Sequence, residues 1–131
     1  MESKWIRQRQ IISLPLPHAW WTSHAQLPTV LKVSPQIWRI FVAGRDANNC
    51  GSIIAIDVDP SDDMAVNHVS PTRLIDHGAS GQFDCDGIGV TSVHEHQGGH
   101  QFVSAGMNAH SGDDYQIAIG LLASPDMGQT F

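Results

Sequence analysis

The chain has 131 residues, 41% of them hydrophobic and 15% charged, a balance that supports one folded domain and excludes extensive intrinsic disorder. Thirteen acidic against seven basic side chains leave a formal charge of −6, which argues against nucleic acid and anionic lipid as partners. No run reaches the roughly eighteen apolar residues of a membrane span, and Pro15 and Pro17 interrupt MESKWIRQRQIISLPLP, so neither a membrane segment nor a signal peptide is expected. Cys50 and Cys85 are too few for a disulfide framework and predict free thiols in a reducing cytoplasm.

Residues 1–22 carry Trp5, Trp20, Trp21 and two prolines without a clear period, and read as an extended lead-in. Short runs rich in Val, Ile, Phe and Trp then predict strands over 25–33, 36–43 and 52–59, separated by turn residues at Ser34-Pro35 and over 46–49. A weaker strand over 64–70 precedes a Gly-rich loop at 76–87. A second set of strands is predicted over 89–96, 100–107 and 115–123, broken by Gln97-Gly98-Gly99 and by Ser111-Gly112-Asp113-Asp114. No segment carries a helical apolar stripe.

The two sets repeat. RIFVAG at 39–44 lies over QFVSAG at 101–106 with an offset of 62, and SIIAIDVD at 52–59 answers QIAIGLLA at 116–123 with an offset of 64. Four strands per period near 60 predict antiparallel propeller blades, and apolar residues on both strand faces fit sheets covered on both sides. The first blade is expected over about 23–75 and an incomplete second over about 84–131, together a partial propeller domain over 23–131. At the C-terminus, SPDMGQTF at 124–131 fits S-x-D-x-G-x-T-F, the Asp box of sialidase-like propellers. In that turn Asp and Ser side chains bond the backbone, Gly takes positive φ and the aromatic anchors the start of the next strand.

Four ordered blocks, WWTSHAQLPTVL at 20–31, RIFVAGRDANNCGSIIAIDVD at 39–59, LIDHGASGQFDCDGIGVTSV at 74–93 and YQIAIGLLASPDMGQTF at 115–131, carry a resemblance. They are similar to five-bladed β-propeller glycosidase-like proteins related to glycoside hydrolase families 43 and 32. The resemblance implies about two blades of a five-bladed fold with a sugar pocket on the axis, a carbohydrate substrate and no cofactor. An open blade edge after Ala123 and an uncovered blade face are expected to drive self-association or partial disorder.

Glycoside hydrolysis needs two carboxyl groups facing the scissile bond. Asp84, in GQFDCDGIGV, is the best single carboxylate: it aligns with the first Asp of a family motif closer to F-D-D-S-G-V, where Cys85 replaces an acidic position and Asp86 a small polar one. The pair Arg45-Asp46 resembles the family's Arg-Asp element, implying Asp46 as a second lining carboxylate and Arg45 as a substrate contact. His24 and Asp86 join Arg45 as expected sugar contacts. Loop salt bridging for Asp46, an Asx turn for Asp84 or Asp86, and a structural histidine are the competing readings. Relatives supply a general-acid Glu from a later blade, and this chain holds only Glu2 and Glu95. Two other classes stay open: a noncatalytic carbohydrate-binding or interaction module, and a metal-binding β protein in which His94 and His96, two apart on a strand, converge with His100 across a short turn.

Overall fold

The computed structural model describes residues 5–13, 20–109 and 115–131. Glu2, Pro15, Pro17 and the turn expected over 111–114 lie outside the described residues. Seven strands form: β1 (Ser23–Ser34), β2 (Ile37–Arg45), β3 (Gly51–Asp59), β4 (Ala65–Val69), β5 (Gly87–His96), β6 (Gly99–Ala109) and β7 (Tyr115–Ser124). The hairpins arise from local chemistry. Ser34 closes the β1–β2 turn by accepting from Gln36 N–H, Asp59 accepts from Ser61 N–H after β3, and Gly98 takes a positive φ between β5 and β6.

All seven strands belong to one sheet, ordered β1-β2-β3-β5-β6-β7 with β4 paired to β3. This corrects the expectation of about two antiparallel propeller blades, because the described residues make a single open, mostly antiparallel sheet, neither closed nor divided into blades. The two groups of strands join where β3 and β5 approach closely. Gly51 and Gly87 form a parallel bridge, with Gly51 N–H donating to Asp86 C=O at 3.3 Å. A Cβ on Gly87 would stand 3.1 Å from Gly51 N, a tight contact that glycine avoids where β5 comes alongside β3.

At that junction the sheet folds over, and the half built from β1–β4 lies on the half built from β5–β7. Phe41, Ile53 and Ala55 of the first half pack on Ile88, Val90 and Phe102 of the second, and the Thr29 hydroxyl crosses to Val90 C=O at 2.9 Å. On the other face of β2 and β3, Ile40, Val42, Ile54, Ile56 and Val58 are covered by Trp21, which is only 2% exposed. Trp21 thus completes a core from just before the first strand.

The C-terminal turn is built from side chains. Asp126 accepts from Gln129 N–H, Thr130 N–H and the Thr130 hydroxyl, while the Ser124 hydroxyl accepts from Gly128 N–H at 2.8 Å. The Thr130 hydroxyl, with the Thr130 N–H, holds the Asp126 carboxyl down at about 2. Phe131 sets its ring edge-on against Phe41 and Phe102, tying the turn to the core. The two-sided coverage expected of the strands holds for β2 and β3. It fails for β7, where Ile117, Ile119 and Leu121 are exposed.

Candidate functional site

Strand register brings the sequence-predicted residues to one rim of the sheet. Ser23 pairs with Arg45, Arg45 with Gly51, Gly51 with Gly87, and Gly87 with Met107. His24, Arg45, Asp46 and Asp86 therefore sit at the ends of β1, β2 and β5 on this rim, with Asp84 three residues upstream of the start of β5.

Their side chains have different employment. Asp46 caps its own loop: Oδ1 accepts from Asn48 N–H at 2.9 Å and Cys50 N–H at 3.0 Å, and Oδ2 lies 3.4 Å from an Arg73 nitrogen. Asp86 is committed to the end of β6, its carboxylate accepting from Ala109 N–H at 2.7 Å, with the Cys85 thiol at 3.7 Å. Asp84 is the exception. Its backbone C=O accepts from Gly78 and Gly87, but its carboxylate has no hydrogen-bond partner among the described residues. It lies against Gly78, where a Cβ would collide with Oδ1. Such a carboxylate, half-buried and unengaged, can accept from a ligand hydroxyl without giving up a partner.

Arg45 donates to Asn49 Oδ1 at 2.9 Å, while its Nε is shielded from solvent without a partner among the described residues. His24 has a positive φ of 62°, is exposed, and shares a hydrogen bond with the Ser23 hydroxyl through Nδ1. Both stand at the rim with donor capacity left.

Sequence reasoning missed a second layer. Arg73 reaches Asp46 and Asp76 together, 3.4 and 3.0 Å away, and lies 4.8 Å from the centre of the Trp20 ring. The buried Ser52 hydroxyl donates to Asp76 Oδ1 at 2.8 Å. Against the desolvation that burial imposes, Ser52 and Arg73 hold the Asp76 carboxyl below its ordinary range. The only local signal was an Arg three residues before an Asp, which cannot foretell a link back to Asp46. Nearby, desolvation first and then the Asp46 and Asp86 charges push the Cys50 thiol up, so it stays protonated and is a poor nucleophile. Both cysteines are free.

The histidine reading and Glu95 belong to the opposite end of β5. Pairing of Glu95 with His100 and of His96 with Gly99 puts His100 on the face opposite His94 and His96, so the three imidazoles do not converge. Among the described residues no group of three or more His, Cys, Asp or Glu side chains is placed to hold a metal ion. Glu95 is exposed at that hairpin, far along β5 from Asp84. Recesses occur away from the carboxylate rim. One of ≈ 190 Å³ lies between Arg39, His68, Ser70 and Gly128, and another of ≈ 380 Å³ flanks His96 and His100. Arg39 is already occupied there by both Asp57 oxygens, each at 2.8 Å, so the smaller recess holds no free charge of its own from that pair.

No helix among the described residues is long and apolar enough to cross a membrane. The sequence matches no family model and no solved structure. It is similar to Uncharacterized protein MT1551 of Mycobacterium tuberculosis (strain CDC 1551 / Oshkosh) and to Uncharacterized protein Rv1502 of Mycobacterium tuberculosis (strain ATCC 25618 / H37Rv). Each is 32% identical over 74 residues, which are 56% of this chain and 25% of the relative. The matched segment therefore spans a quarter of the length of these curated relatives.

Proposed function

We propose that this chain carries the carbohydrate-contacting rim of a glycoside hydrolase-like protein, with Asp84 as the working carboxylate and His24, Arg45 and Asp86 around it. The observation that carries the reading is the unengaged Asp84 carboxylate just before β5, on the rim to which strand pairing also brings His24, Arg45 and Asp86. Sugar hydroxyls are paired donors and acceptors, which such a mixed rim suits. Four carboxylates, at positions 46, 76, 84 and 86, against two guanidiniums favour a neutral sugar over an anionic one. The resemblance to five-bladed glycosidase-like proteins supports the same substrate class, and the free thiols support a reducing compartment such as the cytoplasm.

Hydrolysis needs a second carboxyl group across the bond. Asp46 is held by two backbone amides and Arg73, which favours a positioning role: it fixes Arg45 and the β2–β3 loop at the rim. In a protein of the relatives' length, the acid partner would come from outside these residues. That same engagement of Asp46 favours a second reading, noncatalytic carbohydrate binding by this chain alone. Calorimetric titration with neutral disaccharides, alongside turnover assays on nitrophenyl glycosides, separates the two. Binding without turnover, lost in Asp84→Asn, supports the binding module; turnover lost in Asp84→Asn supports the hydrolase. Binding and turnover both unchanged in Asp84→Asn would remove the rim from the account.

A further inference from the structure

We infer that Phe83 is the aromatic platform of the Asp84 rim: its ring takes the C–H face of a neutral pyranose while the neighbouring carboxylate accepts from that sugar's hydroxyls. The inference rests on the carbohydrate reading above and adds a substrate class to it, a pyranose with equatorial hydroxyls. Such a sugar leaves an unbroken patch of axial C–H bonds for an aromatic ring to cover, and turns its hydroxyls outward to an acceptor at the ring's side.

Phe83 and Asp84 stand side by side on one bare point of β6. A Cβ added to Gly106 would run into the Phe83 ring and stand 2.8 Å from Asp84 Cβ, and a Cβ on Gly120 would stand 2.7 Å from Phe83 Cζ. One edge of the ring therefore rests on glycines of two neighbouring strands, β6 and β7. Phe83 is nevertheless 44% exposed. Gly106 alternates with the buried Phe102 and Ser104, so the ring lies on the side of β6 that turns toward the first half, away from the open apolar side of β7.

The internal repeat shows that this position does not of itself call for an exposed ring. The offset of 62 sets Phe83-Asp84 over Trp21-Thr22, and Gly106 over Gly44. In the first half both members of the pair serve the fold. Trp21 is 2% exposed and its indole N–H donates to Ser23 C=O at 2.9 Å, while the Thr22 hydroxyl donates to Arg45 C=O at 3.1 Å. In the second half the ring is open, and the carboxylate beside it has no hydrogen-bond partner among the described residues. An uncovered ring next to an unengaged acceptor makes two demands that one sugar meets together.

Proton NMR of cellobiose titrated with the whole chain tests this. The expected result is a saturable upfield movement of the axial sugar protons, the signature of a ring current above a C–H face, with sorbitol, an open-chain polyol that has the hydroxyls but no rigid face, left unmoved. Phe83→Leu should weaken cellobiose binding by roughly 5-fold and abolish the upfield movement, and Phe83→Tyr should keep both. Melting curves report whether each variant folds, and the ring-current signature is read on the wild type without any variant. Binding that is lost in Asp84→Asn but leaves the sugar protons unmoved, or is unchanged in Phe83→Leu, overturns the platform alone. So does sorbitol binding as tightly as cellobiose, or binding confined to other neutral disaccharides. A wild-type chain that binds no neutral disaccharide overturns the platform together with the reading it rests on.

Discussion

The halves β1–β4 and β5–β7 share a local design and live in different surroundings. Each places an aromatic ring over a glycine of its second strand: Trp21 covers Gly44, and Phe83 covers Gly106, where an added Cβ would run into the ring. The ring and the glycine are both displaced by 62 residues between the halves, so the repeat is one of packing as well as of letters. Yet β2 and β3 are buried on both faces, whereas β7 keeps one face open. Repeated sequence sets the geometry within each half. What lies across from a face decides whether its apolar residues contribute to stability.

Substitutions can break or sharpen that contrast. Phe41→Ala, at a fully buried ring touching Phe102 and Phe131, should cost about 3–5 kcal/mol in urea denaturation, while its counterpart Val103→Ala should cost under about 1 kcal/mol. Equal costs would show that the second half is covered as well as the first. Arg39→Met should cost about 2–3 kcal/mol by stranding Asp57, whose side chain is only 12% exposed; the β5–β7 half has no described ion pair to lose. Gly44→Val and Gly106→Val should each cost about 1–3 kcal/mol by forcing Trp21 or Phe83 aside. Matching losses support the shared design, and a silent Gly106→Val would break it.

Acid separates the halves from the turn that joins them. Asp126 has a folded pKa of about 2 against an ordinary 3.8, so its contribution is complete above the ordinary value and is lost as pH falls toward 2. Asp126→Asn should flatten that part of the stability–pH curve, and an unchanged acid limb would contradict it. The smallest effect is reserved for the open face. Ile119→Ala should change the stability of the monomer by no more than about 0.5 kcal/mol.

The strands were legible because alternation and turn residues act locally: the expected 52–59 and 115–123 runs became Gly51–Asp59 and Tyr115–Ser124. The joining of the two halves was not. A parallel bridge between Gly51 and Gly87 leaves no periodic trace, since a single residue pair with a small residue at position 87 is all it needs. Trp21 was not legible as core because its lead-in has no period to reveal a buried face. The placement of His24, Arg45 and Asp46 at one end of the first hairpins was readable from hairpin order, whereas Asp86 comes to that rim only through the Gly51–Gly87 bridge. The link from Arg73 to Asp46 spans 27 residues of loop and strand, and no spacing rule reports it. By contrast, the face of His100 was decidable from the two-residue turn at Gln97-Gly98, which sets His96 opposite Gly99 and therefore Glu95 opposite His100.

The most direct test of the carbohydrate-binding rim is amide chemical-shift mapping of the ¹⁵N-labelled chain during titration with neutral oligosaccharides. The account predicts saturable shifts centred on His24, Arg45, Asp84 and Asp86, abolished by Asp84→Asn while the remaining spectrum stays folded. Saturable shifts confined to the His96–His100 hairpin, or a spectrum unmoved by every neutral sugar, would contradict it.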